Sequence, residues 1–161
     1  NFSDEKFLLM EKADEDRIPK KVMRMFMCQY LLSKTYKDMF DENKILSAYS
    51  DETERFEAHH IIPLGTVKKV GESTKKLRDD EKNICNSPLN FVYITKKANK
   101  EISDESLKDY VQKINAEAKA KLHITAYTNS DIPQDQVKQI LRERYDFLKG
   151  DIRERISTLL S

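Results

Sequence analysis

The N-terminal third of the chain has apolar residues at helical spacing. The segment SDEKFLLMEKA opens with a serine cap and acidic residues, which favour a helix start. The next segment, IPKKVMRMFMCQYLLSKTYKDMF, begins with a proline near its first turn and repeats apolar residues every three or four positions. A third stretch, DENKILSAYS, has the pattern of another short helix. We therefore predict a helical part over residues 1–50.

The middle of the chain has a different pattern, with two compact β-branched and aromatic runs. RFEAHHII is typical of a strand that stops at Pro63 and Gly65, and LNFVYIT is typical of a second strand. A polar, lysine-rich connection to about residue 82 separates them. Two strands alone are marginally stable, so we expect them to pack against helices.

Helical spacing returns after the second strand. TKKANKEI predicts a short helix capped by Thr95, and SDESLKDYVQKINAEAKAKL predicts one longer helix capped by Ser103. DIPQDQVKQILRERYDFLKGDIRERISTLL predicts a long amphipathic helix, with Gly150 as a candidate interruption. Its apolar stripe consists of Val137, Ile140, Leu141, Tyr145, Leu148, Ile152, Ile156 and Leu159.

Length and composition fit one globular domain. The chain has 161 residues, of which 35% are charged and 39% hydrophobic. It contains no apolar run of membrane-spanning length and no signal segment, so we expect a cytoplasmic protein without a membrane partner. Because it starts at Asn1, we expect a fragment of a longer protein. Cys28 and Cys85 lack CxxC partners, which predicts reduced thiols rather than a zinc knuckle.

Charge is unevenly distributed along the chain. The net charge is only +1, but residues 59–100 contain nine Lys or Arg residues and only four acidic ones. This basic middle segment is either an anion-binding face or a solvated lysine-rich loop. The charge pattern alone leaves both interpretations open.

The candidate chemistry lies in the same segment, at two adjacent histidines. A regular strand sends neighbouring side chains to opposite faces, so one site cannot easily use both His59 and His60. Because Pro63 and Gly65 end the strand just past them, we expect both rings to turn toward the short helix after the second strand. Asparagines collect nearby, with Asn90 opening the second strand and Asn99 on that helix. Each residue alone is ordinary, but together and in this order they indicate a site.

The pattern HHIIP … NSPLNFVYITKKANKEIS resembles the HNH endonucleases, which have a ββα-metal fold. Its last part looks most like the C-terminal nuclease domain of GmrSD-type modification-dependent restriction enzymes. The resemblance covers about residues 55–106. It implies an α+β fold, a mostly helical domain around a ββα-metal (HNH) core at residues 54–102. Residues 1–161 would form a single nuclease domain, with residues 103–161 as a helical C-terminal part.

The resemblance also implies roles for individual residues. His60 matches the general base, and Asn90 matches the residue that braces the loop carrying the base. His59 and Asn99 match the two protein ligands of a metal ion. We expect this ion to be Mg²⁺, although a histidine ligand also suits Mn²⁺ or Ni²⁺. Ser103 stands where many HNH proteins place a further histidine, so we expect a two-ligand site.

The implied function is metal-dependent hydrolysis of DNA phosphodiester bonds in restriction or phage defence, leaving 5′-phosphate and 3′-hydroxyl ends. Lys96, Lys97 and Lys100 are expected to contact DNA phosphates, although each could equally be a solvated charge. DNA and an upstream NTPase-like or DNA-recognition domain are the expected partners. The alternatives are a nuclease toxin, a homing-type nuclease, or a catalytically inactive HNH module that binds DNA. His123 has no motif partner and is interpreted as structural.

Overall fold

A two-stranded antiparallel sheet lies at the centre of the computed structural model. Strand β1 is Phe56–His60 and strand β2 is Phe91–Thr95, with Phe56 opposite Thr95 and His60 opposite Phe91. Both predicted strands are therefore confirmed, each slightly shorter than its apolar run. The structure describes residues 5, 8, 9, 20–35, 40, 56–67, 69, 71–103, 105–124 and 132–161.

Helices surround this sheet, which confirms the mostly helical α+β fold. In chain order the α-helices are α1 Lys20–Thr35, α2 Leu64–Val67, α3 Thr74–Asp79, α4 Lys96–Ile102, α5 Leu107–Tyr110, α6 Ala116–Leu122 and α7 Gln134–Leu160. Short 3₁₀ turns lie at Ile84–Asn86, Pro88–Asn90 and Val111–Lys113. No helix in the described part of the chain is long and apolar enough to cross a membrane.

Helix α4 begins directly at the end of β2. The Thr95 side chain accepts a hydrogen bond from the amide of Ala98, which confirms Thr95 as the N-cap and satisfies a backbone donor of the first turn. Because no loop separates strand from helix, α4 folds back and contacts both strands. This places the side chain of Asn99 beside β1.

The hydrophobic core forms where α1 packs on β2 and α7 packs on the two 3₁₀ turns that precede β2. Met27 and Leu31 of α1 are fully buried, and α1 contacts β2. The predicted stripe of α7 is buried at Val137, Leu141, Tyr145, Leu148 and Ile152. Ile140 and Ile156 are partly buried against the core, whereas Leu159, the last residue of the stripe, is 61% exposed. Cys28 and Cys85 are buried free thiols, as predicted.

The single long helix predicted after Ser103 is wrong. Helices α5 and α6 are separate, each with its own side-chain cap, from Ser106 to the amide of Asp109 and from Asn115 to the amide of Ala118. Serine and asparagine side chains compete with helical backbone bonds in this way, which explains the break. Ser103 instead ends α4 with a positive φ of 44°.

Two further expectations about elements need correction. Helix α7 runs through Gly150 without interruption, since one glycine costs a helix only about 1 kcal/mol relative to alanine. The lysine-rich connection is not all loop, because it contains α2 and α3. The prediction of a helix in the second N-terminal segment is confirmed by α1, whereas the helices predicted for residues 3–13 and 41–50 lie largely or wholly outside the described residues.

Candidate active site

A groove of about 790 Å³ runs beside the sheet and contains both adjacent histidines. Its lining comes from both strands, from helices α1, α2, α3 and α4, and from the turn before β2. Among the described residues, three cationic side chains line it, namely Lys21, Arg24 and Arg78. The groove therefore brings together residues from the N-terminal helix and from the strand–loop–strand–helix unit.

His59 contacts Asn99 across the gap between β1 and α4. Its Nδ1 atom lies 3.1 Å from Oδ1 of Asn99. The other end of the amide is also held, because Nδ2 of Asn99 donates to Oε2 of Glu57 at 2.5 Å. The strand supplies Glu57 and His59 at positions i and i+2, which lie on one face of the sheet.

The His59 ring is held in a buried and neutral state. The residue is only 7% exposed, and burial lowers the pKa of the imidazole to about 4. Its Nε2 atom is buried without a hydrogen-bond partner among the described residues, and the ring lies edge-on to Tyr110 at 5.6 Å. Nδ1 is therefore the ring nitrogen that faces Asn99, and in the metal-free chain it donates its proton to Oδ1 of that residue, because an amide oxygen can only accept.

These two atoms fit a pair of metal ligands. Octahedral ligands 2.0–2.1 Å from a Mg²⁺ ion lie about 3 Å from each other when they occupy neighbouring positions, close to the separation of His59 Nδ1 and Asn99 Oδ1. No group of three His, Cys, Asp or Glu side chains in the described residues could hold a metal ion.

His60 has a different partner, Asn86, in the turn before β2. Its Nε2 atom lies 3.1 Å from Oδ1 of Asn86. The Asn86 amide nitrogen donates to the carbonyl oxygens of Leu77 at 2.7 Å and Asp80 at 2.9 Å, so its oxygen must face the histidine. Because that oxygen can only accept, Nε2 of His60 carries the proton and Nδ1 is the basic nitrogen.

The electrostatic surroundings keep His60 neutral. Burial lowers the pKa of its imidazole to about 4, and the charges of Arg78 and Arg24 act in the same direction, while the bond to Asn86 opposes them. The ring also lies 4.3 Å from that of Phe91, over which the Arg24 guanidinium is placed at 4.9 Å. A neutral imidazole at neutral pH can accept a proton, which a general base requires.

Asn90 is fully buried and connects the exit of β1 to the turn before β2. Its Oδ1 atom accepts from the amide of Ile62 at 2.8 Å, and its Nδ2 atom donates to the carbonyl of Cys85 at 2.8 Å. A second bond runs from Nδ2 to the carbonyl of Ile62 at 3.3 Å. Asn90 thus fixes the backbone two residues beyond His60 and does not itself line the groove.

The expectation that both histidines face the short helix is wrong. His60 is still part of β1, so the strand alternation persists and only His59 hydrogen-bonds to α4. The ring of His60 instead hydrogen-bonds to Asn86, to which the sequence analysis assigned no role. The cluster of asparagines in the sequence indicated that one of them could contact a histidine. Only the fold shows that Asn86 is the one that contacts His60.

The three predicted DNA-binding lysines lie outside the groove lining. Lys96, Lys97 and Lys100 are exposed on α4, and Lys97 lies 3.7 Å from Glu101. The cations that line the groove are others, and two of them come from α1. No motif pointed to Lys21 or Arg24, because their position depends on the packing of α1 against the sheet.

The strand–loop–strand–helix unit carries two histidines and two asparagines in the order expected of an HNH endonuclease. A family model described as "GmrSD restriction endonucleases, C-terminal domain" matches residues 3–149. The chain therefore belongs to this family, which supports a nuclease role in restriction. No curated protein and no solved structure gave a significant match.

Proposed function

We propose that the chain is a metal-dependent DNA endonuclease of the HNH type. One observation carries the proposal: a neutral His60 lies in the same cation-lined groove as His59 and Asn99, whose facing atoms are spaced like two metal ligands. Hydrolysis of a phosphodiester bond needs a base for water and positive charge near the phosphate. The groove offers both.

His59 and Asn99 would hold the cation through Nδ1 and Oδ1. Coordination through Nδ1 would replace its hydrogen bond to Asn99 and would require the ring proton to move to the buried Nε2 atom. We propose Mg²⁺, which usually keeps part of its water shell; Mn²⁺ and Ni²⁺ also suit a histidine ligand. When bound, the cation would supply charge stabilisation at the phosphate and the leaving oxygen.

His60 would accept the proton of the attacking water at Nδ1, because Asn86 occupies its other nitrogen. Asn90 would maintain the geometry by fixing the backbone just past the base. The products would be a 5′-phosphate and a 3′-hydroxyl end.

Two sets of cationic side chains would bind the DNA backbone. Lys21, Arg24 and Arg78 line the groove and would bind the phosphates nearest the reaction. Lys96, Lys97 and Lys100, exposed on α4, would bind phosphates farther along the duplex. Such contacts provide affinity without sequence information.

We place this activity in restriction or phage defence, with an upstream NTPase-like or DNA-recognition domain supplying target choice. The lysines of α4 suit phosphates rather than base edges, so we expect this helix to add affinity without selecting a base sequence. A nuclease toxin and a homing-type nuclease would use the same centre. A catalytically inactive DNA-binding module is the alternative that the first experiment separates from an enzyme.

The test is conversion of supercoiled plasmid to nicked or linear DNA by the 161-residue chain. We expect cleavage with Mg²⁺ and none with excess chelator. Calorimetric titration should show weaker metal binding for His59→Ala and for Asn99→Ala.

Cleavage that persists in excess chelator would overturn the metal mechanism. DNA binding without cleavage under Mg²⁺, Mn²⁺ and Ni²⁺ would identify a binding module instead.

A further inference from the structure

Glu57 lies at the metal-binding end of the groove, although no motif assigns it a role. It precedes His59 by two positions in β1 and lines the same groove. Its Oε2 atom accepts the hydrogen bond from Nδ2 of Asn99 at 2.5 Å. Glu57, Asn99 and His59 therefore form a continuous chain of contacts.

The first consequence concerns the orientation of the Asn99 amide. An asparagine can present either its oxygen or its NH₂ group to a cation, and only the oxygen is a ligand. A carboxylate can only accept hydrogen bonds, so Glu57 retains the NH₂ group of Asn99. The amide oxygen is consequently directed at Nδ1 of His59.

The second consequence concerns charge. An imidazole and an amide both coordinate as neutral ligands, so His59 and Asn99 contribute no negative charge to a bound dication. The groove is also lined by the cationic side chains of Lys21, Arg24 and Arg78. Glu57 and Glu81 are the only acidic residues that line it in the described part of the chain, and only Glu57 is bonded to a proposed ligand.

We infer that Glu57 is the third member of the divalent-cation site, acting through Asn99 as a positioning residue and as the source of negative charge. This inference rests on the proposed metal-dependent function. Negative charge and oxygen ligands favour hard cations such as Mg²⁺ and Mn²⁺, whereas imidazole also suits Ni²⁺. Glu57 thus biases the site toward hard cations.

The experiment measures binding of Mn²⁺ to the metal-free 161-residue chain, by the electron paramagnetic resonance signal of free Mn²⁺. Glu57→Gln keeps the shape and an oxygen acceptor for Asn99 but removes the charge. We expect it to weaken Mn²⁺ binding by about 10- to 100-fold, the usual effect of losing an outer partner of a metal ligand. Ni²⁺ affinity, measured by calorimetry, should fall less.

Glu81→Gln is the matched control, because it removes the same charge from the same groove without a contact to Asn99. Its Mn²⁺ affinity should stay within about twofold of the wild type, since the charge of an exposed side chain is screened by salt. The double variant Glu57→Gln, Asn99→Asp moves the negative charge onto the ligand itself. It should regain most of the Mn²⁺ affinity.

Equal Mn²⁺ affinity in Glu57→Gln and wild type, with circular dichroism showing both folded, would overturn this inference and leave the proposed function intact. Failure of the folded double variant to regain affinity would also contradict it. A wild-type chain that binds no divalent cation would overturn both.

Discussion

At the scale of single residues, two asparagines determine how the two adjacent histidines can act. Asn99 meets Nδ1 of His59, and Asn86 meets Nε2 of His60. An amide has a fixed donor and a fixed acceptor end, so a held asparagine selects one ring tautomer without adding charge. His60 thereby keeps Nδ1 as its basic nitrogen, as a general base requires. Nδ1 of His59 instead carries the proton in the metal-free chain and would lose it on binding the proposed cation.

The prediction at the scale of single residues concerns the effect of Asn86 on the pKa of His60. The value of kcat/KM should fall at acidic pH as His60 is protonated, because a protonated base is inactive. Burial lowers the pKa of His60 to about 4, so the wild type should keep its activity well below pH 6.5. In Asn86→Asp, a carboxylate beside Nε2 stabilises the imidazolium and should move the acidic limb up by at least about one pH unit.

Asn86→Ala is the companion variant, which loses the acceptor without adding charge. Its plateau rate should fall at least about tenfold, since the base is no longer held in one tautomer, and Asn86→Asp should retain more of that rate. An acidic limb at the same pH in the wild type and Asn86→Asp would mean that Asn86 does not act through His60.

At the scale of elements, the site depends on β1 staying regular to its last residue. The pleat of the strand separates the side chain of His59 from that of His60. Helix α4 then supplies the partner of His59, and the 3₁₀ turn Ile84–Asn86 supplies the partner of His60. The long helix α7 contacts this turn and the next one, and Arg144 donates to the carbonyl of Leu89. Helix α7 therefore holds in place the turn that positions the proposed base.

Sequence patterns predicted the local parts of this arrangement. Strand composition, the Thr95 cap and the spacing of Asn90 and Asn99 are all encoded within a few residues, and the structure brings His59 and Asn99 together. Long-range packing was not predictable in the same way. Arg24 reaches the groove only because α1 packs on β2, and the break between α5 and α6 depends on Asn115 capping a new helix rather than continuing the old one.

The lysines of α4 give the prediction at the element scale. Replacing Lys96, Lys97 and Lys100 together with glutamine should weaken binding to all DNA sequences alike. Each lost phosphate contact should also lower the slope of log affinity against log salt concentration by about 0.9. The measurement is fluorescence anisotropy of labelled duplexes over a range of salt concentrations.

Lys149→Gln on α7 is the control, because that side chain pairs with Asp146 at 2.9 Å and lies outside the groove lining. Its salt dependence should match that of the wild type. If the triple α4 variant also keeps the wild-type slope, this helix does not face the duplex and its lysines are solvated charges.

At the scale of the whole molecule, the groove is assembled from parts that are distant in sequence. Lys21 and Arg24 come from α1, the histidines from β1, Arg78 from α3 and Asn99 from α4. Such a site forms only when the N-terminal helix packs against the sheet. The groove cations and the proposed base therefore come into place in one folded state, which the proposed hydrolysis of DNA would require.

The central claim is that His60 is the general base, and single-turnover cleavage of plasmid at saturating Mg²⁺ tests it most directly. We expect His60→Ala to cut about 10²- to 10⁴-fold more slowly than the wild type with nearly unchanged DNA affinity. The control is His123→Asn, which replaces the histidine stacked on Phe147 at a positive φ that asparagine tolerates, and should cut at the wild-type rate. Wild-type cleavage by folded His60→Ala would contradict the account.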